Sequence, residues 1–216
     1  CKLSDLEMRC IMSSRGTLLV ISGFSGAGKG TVIKSLINNY DNFALSVSAT
    51  TRKPRDGEQD GISYFFKTKE EFQDMINKGE LLEYATYVGN YYGTPKSYVE
   101  DKLKEGYNVI LEIECVGAFN VRKMFPDALL MYIIPPSAEE LERRLRGRGT
   151  EDEPTINARL AKASKEAEGV EEYDYIIIND MVDNCVKDIN GIISGSADTV
   201  EKCLTANNIN RSEERR

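Results

Sequence analysis

The sequence predicts an α/β domain of three layers, with helices on both sides of a parallel core sheet. Three observations carry that prediction. Continuous apolar runs recur at strand length: TLLVIS (17–22), YNVILEI (107–113), ALLMYII (128–134) and EYDYIIIND (172–180). Such runs mark strands buried on both faces. Amphipathic segments alternate with them, the rhythm of β-α units. The first run also passes straight into a glycine-rich turn, GFSGAGKGT (23–31), and then into helical spacing.

Each element follows in order. TLLVIS is the first strand, and TVIKSLINNY is a helix with Val32, Ile33, Leu36 and Ile37 on one face. FALSVSATT (43–51) alternates and is β-branched, so it predicts one strand. RKPRDGEQDG (52–61) is a loop and GISYFF a short strand. KTKEEFQDMINKG is an amphipathic helix stopped at Gly79, and LLEYATYVGNYYGTP predicts two strands joined around Gly89-Asn90. SYVEDKLKEG is a helix with a glycine stop. YNVILEI and ALLMYII are buried strands. PPSAEELERRLRGRG begins a helix with Ser137 as N-cap and Glu140 three residues on, a capping box. EDEPTINARLAKASKEAEG is a further helix, and EYDYIIIND the last buried strand. The segment 48–95 breaks the alternation and predicts a small inserted α/β lobe. Residues 1–15 predict an extension, 16–195 the domain, with its core at 16–47 and 96–195, and 196–216 a polar tail.

Composition narrows the chemistry. The 216 residues are 41% apolar and 29% charged, as in a soluble globular protein. A net charge of −7 argues against a surface that coats nucleic acid. With no histidine, every His-based nucleophile, base or metal site is excluded. Five cysteines at positions 1, 10, 115, 185 and 203 have no C-x-x-C spacing and read as reduced thiols of a cytoplasmic protein. The apolar runs are too short to span a bilayer, and CKLSDLEMRC lacks a signal-peptide core, so no membrane partner is expected.

The glycine turn nearly fits the phosphate-loop pattern G-x-x-x-x-G-K-[ST]. Gly23, Gly28 and Lys29 match, but Gly30 stands where a hydroxyl usually holds Mg²⁺, and Thr31 is one residue late. Backbone N–H groups of such a turn cradle anions, the following helix adds its dipole, and Lys29 can reach outer phosphates. Gly26 and Ala27 keep the path clear, and Ser25 adds a hydroxyl. Mg²⁺ would then be held by phosphate oxygens and water, with no direct protein ligand, or with help from Thr31. A second anion site is suggested by Arg52 and Arg55 around Pro54, with Tyr64, Tyr91 and Tyr92 offering hydroxyls. A solvated basic turn with core tyrosines is the alternative at that point.

SATTRKPRDGE, GNYYGTP, the PPS before a helix and RGRGTE together resemble the guanylate kinase family from about Gly16 to Ile193, in the expected order. The G-K-G-T form of the loop is common among small kinases of nucleoside monophosphates. The resemblance implies a P-loop kinase fold with a GMP-binding lobe at 48–95 and a mobile lid at 147–157. It implies transfer of the γ-phosphoryl group of ATP to GMP, or dGMP, with Mg²⁺, by a monomer or homodimer. Gly23, Ser25, Gly26, Ala27, Gly28, Lys29, Gly30 and Thr31 would bind ATP, with Asn179 and Asp180 at the adenine edge. Arg52, Arg55, Tyr64 and Tyr92 would hold the GMP phosphate, joined by Glu58. Ser48, Glu83 and Thr94 would read guanine. That assignment suits the chemistry, since a carboxylate accepts from N1–H and N2–H₂ together while hydroxyls donate to O6. Glu112 and Glu114, on one face of a strand by period two, match acidic positions near the ribose, the acceptor and the metal's waters. Lys29, Arg144, Arg148 and Arg159 would be catalytic. In the helix itself the arginines also fit solvated pairs, Glu139–Arg143, Glu140–Arg144 and Glu142–Arg146. One departure stands at CVG (115–117), where Val116 replaces the usual Gln.

Three other readings compete with this one. A kinase of another nucleoside monophosphate is disfavoured by Glu83 with Thr94. A phosphopeptide-binding module of the same fold would have lost the loop, which here is intact. A regulatory GTPase would carry an N-K-x-D motif, which is absent.

Overall fold

The structure is a computed structural model and describes residues 15–87, 89–147 and 152–196. The expected extension and tail lie outside the described residues, apart from Arg15 and Ser196.

The elements run β1 (Leu18–Gly23), α1 (Lys29–Asn39), β2 (Phe43–Leu45), β3 (Ala49–Thr50), β4 (Phe65–Phe66), α2 (Lys69–Asn77), β5 (Leu81–Tyr87) and β6 (Asn90–Pro95). Then follow α3 (Lys96–Lys104), β7 (Asn108–Glu112), α4 (Cys115–Met124), β8 (Leu129–Ile134), α5 (Ala138–Arg146), α6 (Glu153–Glu166), a 3₁₀ turn (Ala167–Glu172), β9 (Tyr175–Ile178) and α7 (Val182–Ile193). A five-stranded sheet has the order β2-β7-β1-β8-β9, and a four-stranded sheet the order β4-β3-β6-β5. The described pairings of the first sheet, β2 with β7 and β8 with β9, are parallel, as the apolar runs predict.

The chain divides into two compact units. One holds residues 15–19, 42–111 and 119–128. In it, Phe72 and Leu81 close a small core with Ala49, edged by Phe65, Met75, Ile76 and Tyr91. Burying a ring such as Phe72 stabilises by about 1.5–3 kcal/mol. α2 starts in a full capping box: the Thr68 hydroxyl accepts from the Glu71 amide at 3.1 Å, and Glu71 accepts from the Thr68 amide at 2.7 Å. The hairpin at Gly89-Asn90 forms as expected, with β5 antiparallel to β6.

The other unit holds residues 20–41, 112–118 and 129–196. α1 buries Val32, Ile33 and Leu36 and packs on α7, which buries Cys185, Val186, Ile189 and Ile192. Leu141 and Leu145 of α5 meet Ile156 and Ala163 of α6, with Phe24 and Leu160 at the edge. Burial pushes the Cys185 thiol up to about 11, so it is an inert core thiol.

Three local expectations differ. FALSVSATT is two strands, β2 and β3, in different sheets. The Ser46 amide still donates to Ile110 O at 2.8 Å, and the chain leaves the first sheet after it. The strand expected to reach Glu114 ends at Glu112, because α4 begins at Cys115. Within α5, Ser137 accepts from the Glu140 amide at 3.2 Å, but the Glu140 carboxylate turns to Arg143 and Arg144 instead of closing the box.

Candidate functional site

The glycine loop is shaped by contacts that exclude side chains. Gly23 has φ +151°, and a Cβ there would meet Ile133 O at 2.2 Å. Gly28 has φ +91°, and a Cβ there would meet Asn179 Nδ2 at 2.5 Å. Both positions therefore require glycine. Gly30 differs, since a Cβ there would meet nothing within 4 Å.

Polar contacts then fix the loop from three directions. The Ala27 carbonyl accepts from Asn179 Nδ2 at 2.7 Å and from Arg144 Nη1 at 3.3 Å. Arg144 also donates through Nη2 to Asn179 O at 2.9 Å and through Nε to Glu140 at 2.7 Å. Arg159 Nη1 donates to the Ser25 hydroxyl at 2.6 Å. Lys29 Nζ rests on Gly23 O at 2.7 Å and Phe24 O at 3.2 Å. Burial lowers its pKa from the usual lysine range, while Glu112, then Glu166 and Glu114, pull it back. A cavity of about 600 Å³ opens over the loop, lined by Ser25, Gly26, Gly28, Lys29, Gly30, Thr31, Lys34 and Glu112.

The structure thus brings Lys29, Arg144, Arg159, Asn179 and Glu112 to one loop. Arg148, and residues 148–151 of the expected lid, lie outside the described residues. Asp180 accepts from the Met181 amide at 2.5 Å, while the N-cap of α7 is Met181; Asn179 is not the cap, its Nδ2 holding the loop and its Oδ1 accepting from Cys185 Sγ of α7 at 3.5 Å. Glu140 takes both Arg143 and Arg144, which replaces the Glu139–Arg143 pair expected from spacing. Arg143 first and Arg144 second hold its carboxyl at about 2. Glu142 pairs with Arg146 as expected, and Arg146 also meets Glu153. Two participants escaped the sequence reading. Lys34 lines the cavity, one helical turn after Gly30. Lys162 holds Glu114 at 2.8 Å and Glu166 at 3.3 Å. Its signal was only its place three residues after Arg159.

The second group of expected residues lies in the first unit. The register of β5 on β6 shifts between Leu81 and Tyr84. Beside this shift the Thr94 hydroxyl donates to Glu83 Oε1 at 2.8 Å. Burial pushes the Glu83 carboxyl above its usual range, and bonds from the Thr94 side chain and backbone pull it partly back. In the loop after β3, Glu58 accepts from Arg52 Nη2 at 2.8 Å and from the Arg55 amide at 2.8 Å. The Arg52 guanidinium lies 5.3 Å from the centre of the Tyr64 ring, which meets Tyr92 edge-on at 6.1 Å. The Arg55 side chain is exposed. The Ser48 carbonyl accepts from the Phe65 amide at 2.8 Å. Tyr91 departs from expectation: its ring stacks on Phe72 at 5.4 Å and belongs to the core.

No group of three or more Cys, Asp or Glu among the described residues is arranged to hold a metal ion. No described helix is long and apolar enough to cross a membrane.

A parallel α/β sheet whose first strand feeds a glycine loop, with lysine and two arginines bound to that loop, defines a P-loop nucleotide-binding protein. A family model described as guanylate kinase matches residues 15–196. Guanylate kinases of Clostridioides difficile (strain 630) and Bacillus anthracis are 49% and 51% identical over 188 and 184 residues. These alignments span 87% and 85% of this chain and 92% and 90% of those proteins. The crystal structure of guanylate kinase from Anaplasma phagocytophilum superposes with a TM-score of 0.65 at 35% identity, covering 84% of this chain and 86% of that one. The chain belongs to the guanylate kinase family.

Proposed function

We infer that the chain transfers the γ-phosphoryl group of ATP to GMP, giving ADP and GDP. A phosphate oxygen of GMP forms the new bond to the γ-phosphorus, and the bond to the bridging oxygen of ADP breaks. The observation that carries this reading is the intact loop, with Lys29 across it and Arg144 and Arg159 hydrogen-bonded to it. Phosphoryl transfer has a loose transition state with charge on peripheral oxygens, so positioned cations supply most of the catalysis. No histidine base is required. The same loop disfavours a binding module that has lost catalysis.

In this proposal Lys29, Arg144, Arg148 and Arg159 stabilise the transferring group, and the loop from Gly23 to Thr31 cradles ATP with Asn179 at the adenine edge. Arg52, Arg55, Tyr64 and Tyr92 hold the GMP phosphate, with Glu58 tying Arg52 to the backbone of Arg55. Glu83 accepts from the guanine N–H groups, and Thr94 and Ser48 donate to O6. Glu112 and Glu114 serve the acceptor sugar and ordered water. Segment 48–95 is the acceptor lobe and 147–157 the lid. The reaction belongs in the cytoplasm, where thiols stay reduced.

Thr31 and Glu112 offer oxygen donors at the cavity, Gly30 offers none, and no acidic cluster among the described residues competes. The residues fit a Mg²⁺ ion that arrives on the triphosphate and keeps most of its water. When bound, it supplies charge neutralisation at the phosphate oxygens.

The test is ADP formation from ATP and Mg²⁺ with GMP, AMP, UMP and CMP in turn, with Lys29→Ala as control. Turnover with GMP alone, lost in the control, is expected. Turnover with none of the four would remove the kinase reading, and preference for another base would remove the guanine assignment.

A further inference from the structure

The helix that leaves the phosphate loop carries a second lysine. Lys34 lines the same cavity as Lys29, Gly30 and Thr31. It stands four residues after Gly30 on α1, so the two share a helix face. Side chains on a helix lean toward its N-terminus and cover the turn before their own. The turn before Lys34 presents Gly30, where a Cβ would find no atom within 4 Å. The path from Lys34 to the mouth of the loop is therefore open. Lys29 already rests on two backbone carbonyls, whereas Lys34 is exposed and forms no salt bridge among the described residues. Glu112 is the single carboxylate in the cavity lining.

We propose that Lys34 is a nucleotide-binding residue, its ammonium group contacting outer phosphate oxygens of ATP on the side of the loop where Gly30 has no side chain. Gly30 leaves that face of the loop without a polar side chain. A flexible ammonium with three donors can reach across that open face to phosphate oxygens directly. Before nucleotide binds, the one counter-charge in view is Glu112; a triphosphate brings several, and Lys34 turns to them. This inference rests on the reading that ATP occupies the loop.

The experiment compares the parent, Lys34→Ala, Lys34→Arg and Lys29→Ala. It records KM for ATP at saturating GMP, KM for GMP at saturating ATP, calorimetric ATP binding without GMP, and Tm. Lys34→Ala is expected to weaken ATP binding and raise KM for ATP by about tenfold or more, the usual weight of a charged hydrogen bond. KM for GMP and Tm should stay at the parent's values, and Lys34→Arg should recover most of the loss. Unchanged ATP binding in Lys34→Ala, with binding lost in Lys29→Ala, would overturn the assignment while leaving the loop reading intact. Parent-like ATP binding in Lys29→Ala would overturn the loop reading itself. A rise in KM for GMP, or a drop in Tm, would assign Lys34 to the acceptor or to the fold and equally reject the proposal.

Discussion

The hydroxyl of Thr94 donates a 2.8 Å hydrogen bond to the half-buried carboxylate of Glu83 across a bulged hairpin. A further bond from the Thr94 backbone also reaches this carboxylate. Thr94→Ser keeps the donor and should retain near-parental kcat/KM for GMP. Glu83→Gln replaces the acceptor carboxylate with an amide, and kcat/KM for GMP should fall by about 10²-fold or more while calorimetric ATP binding stays at the parent's value. Equal losses for GMP and ATP would remove base reading from Glu83.

The same carboxylate sets a pH dependence. Burial raises the folded-state pKa of Glu83 above its ordinary 4.5. The folded protein then binds that proton more tightly than the unfolded chain. The stability involved is present below 4.5 and lost as pH rises through the folded value. Glu83→Gln has no such proton. Its Tm should rise relative to the parent as pH increases above 4.5, and a Tm difference independent of pH would contradict this. Holding this half-buried carboxylate charged therefore costs the fold stability.

The two glycines that flank Lys29 should behave oppositely. Gly28→Ala must adopt φ near +91° and push Asn179 Nδ2 from 2.5 Å, breaking the bond to the Ala27 carbonyl. ATP affinity should fall by about tenfold or more, with a lower Tm. Gly30→Ala meets open space and should keep the parent's Tm. Calorimetric ATP titration and thermal melts of both variants check the contrast; equal behaviour would reject it.

Adjacent tyrosines should separate in the same way. Tyr92 faces Tyr64 beside Arg52, whereas Tyr91 stacks in the core on Phe72. Tyr92→Phe should raise KM for GMP by about tenfold with little change in Tm. Tyr91→Ala should lower Tm by several degrees, as loss of a packed ring does. Steady-state kinetics and melts distinguish the two, and a reversed pattern would reject the assignment of Tyr92.

Much of the fold was legible because buried parallel strands write themselves as unbroken apolar runs, and the loop and the Gly89-Asn90 turn have local signatures. The missed features depend on distant partners. Nothing in FALSVSATT marks the point at which the chain changes sheets, since alternation continues through Ser46–Ser48 with no Gly or Pro. The helix at Cys115 opens with Val116 and Gly117, poor helix formers that give no local sign of a helix start. Glu140 had Arg143 and Arg144 equally near by spacing, and took both because Arg144 is anchored on Ala27 O and Asn179 O. Lys162 and Glu114 lie 48 residues apart, beyond any local pattern.

One backbone oxygen carries a consequence for how the protein is made. The Ala27 carbonyl is gripped by side chains 117 and 152 residues further along the chain. A ribosome must therefore build past Asn179 of the 216 residues before the loop acquires both of its anchors. Synthesis at about 5–20 residues per second leaves a nascent chain without them for many seconds. A chain truncated before β9 would carry every glycine of the motif and lack the Asn179 bond to the Ala27 carbonyl.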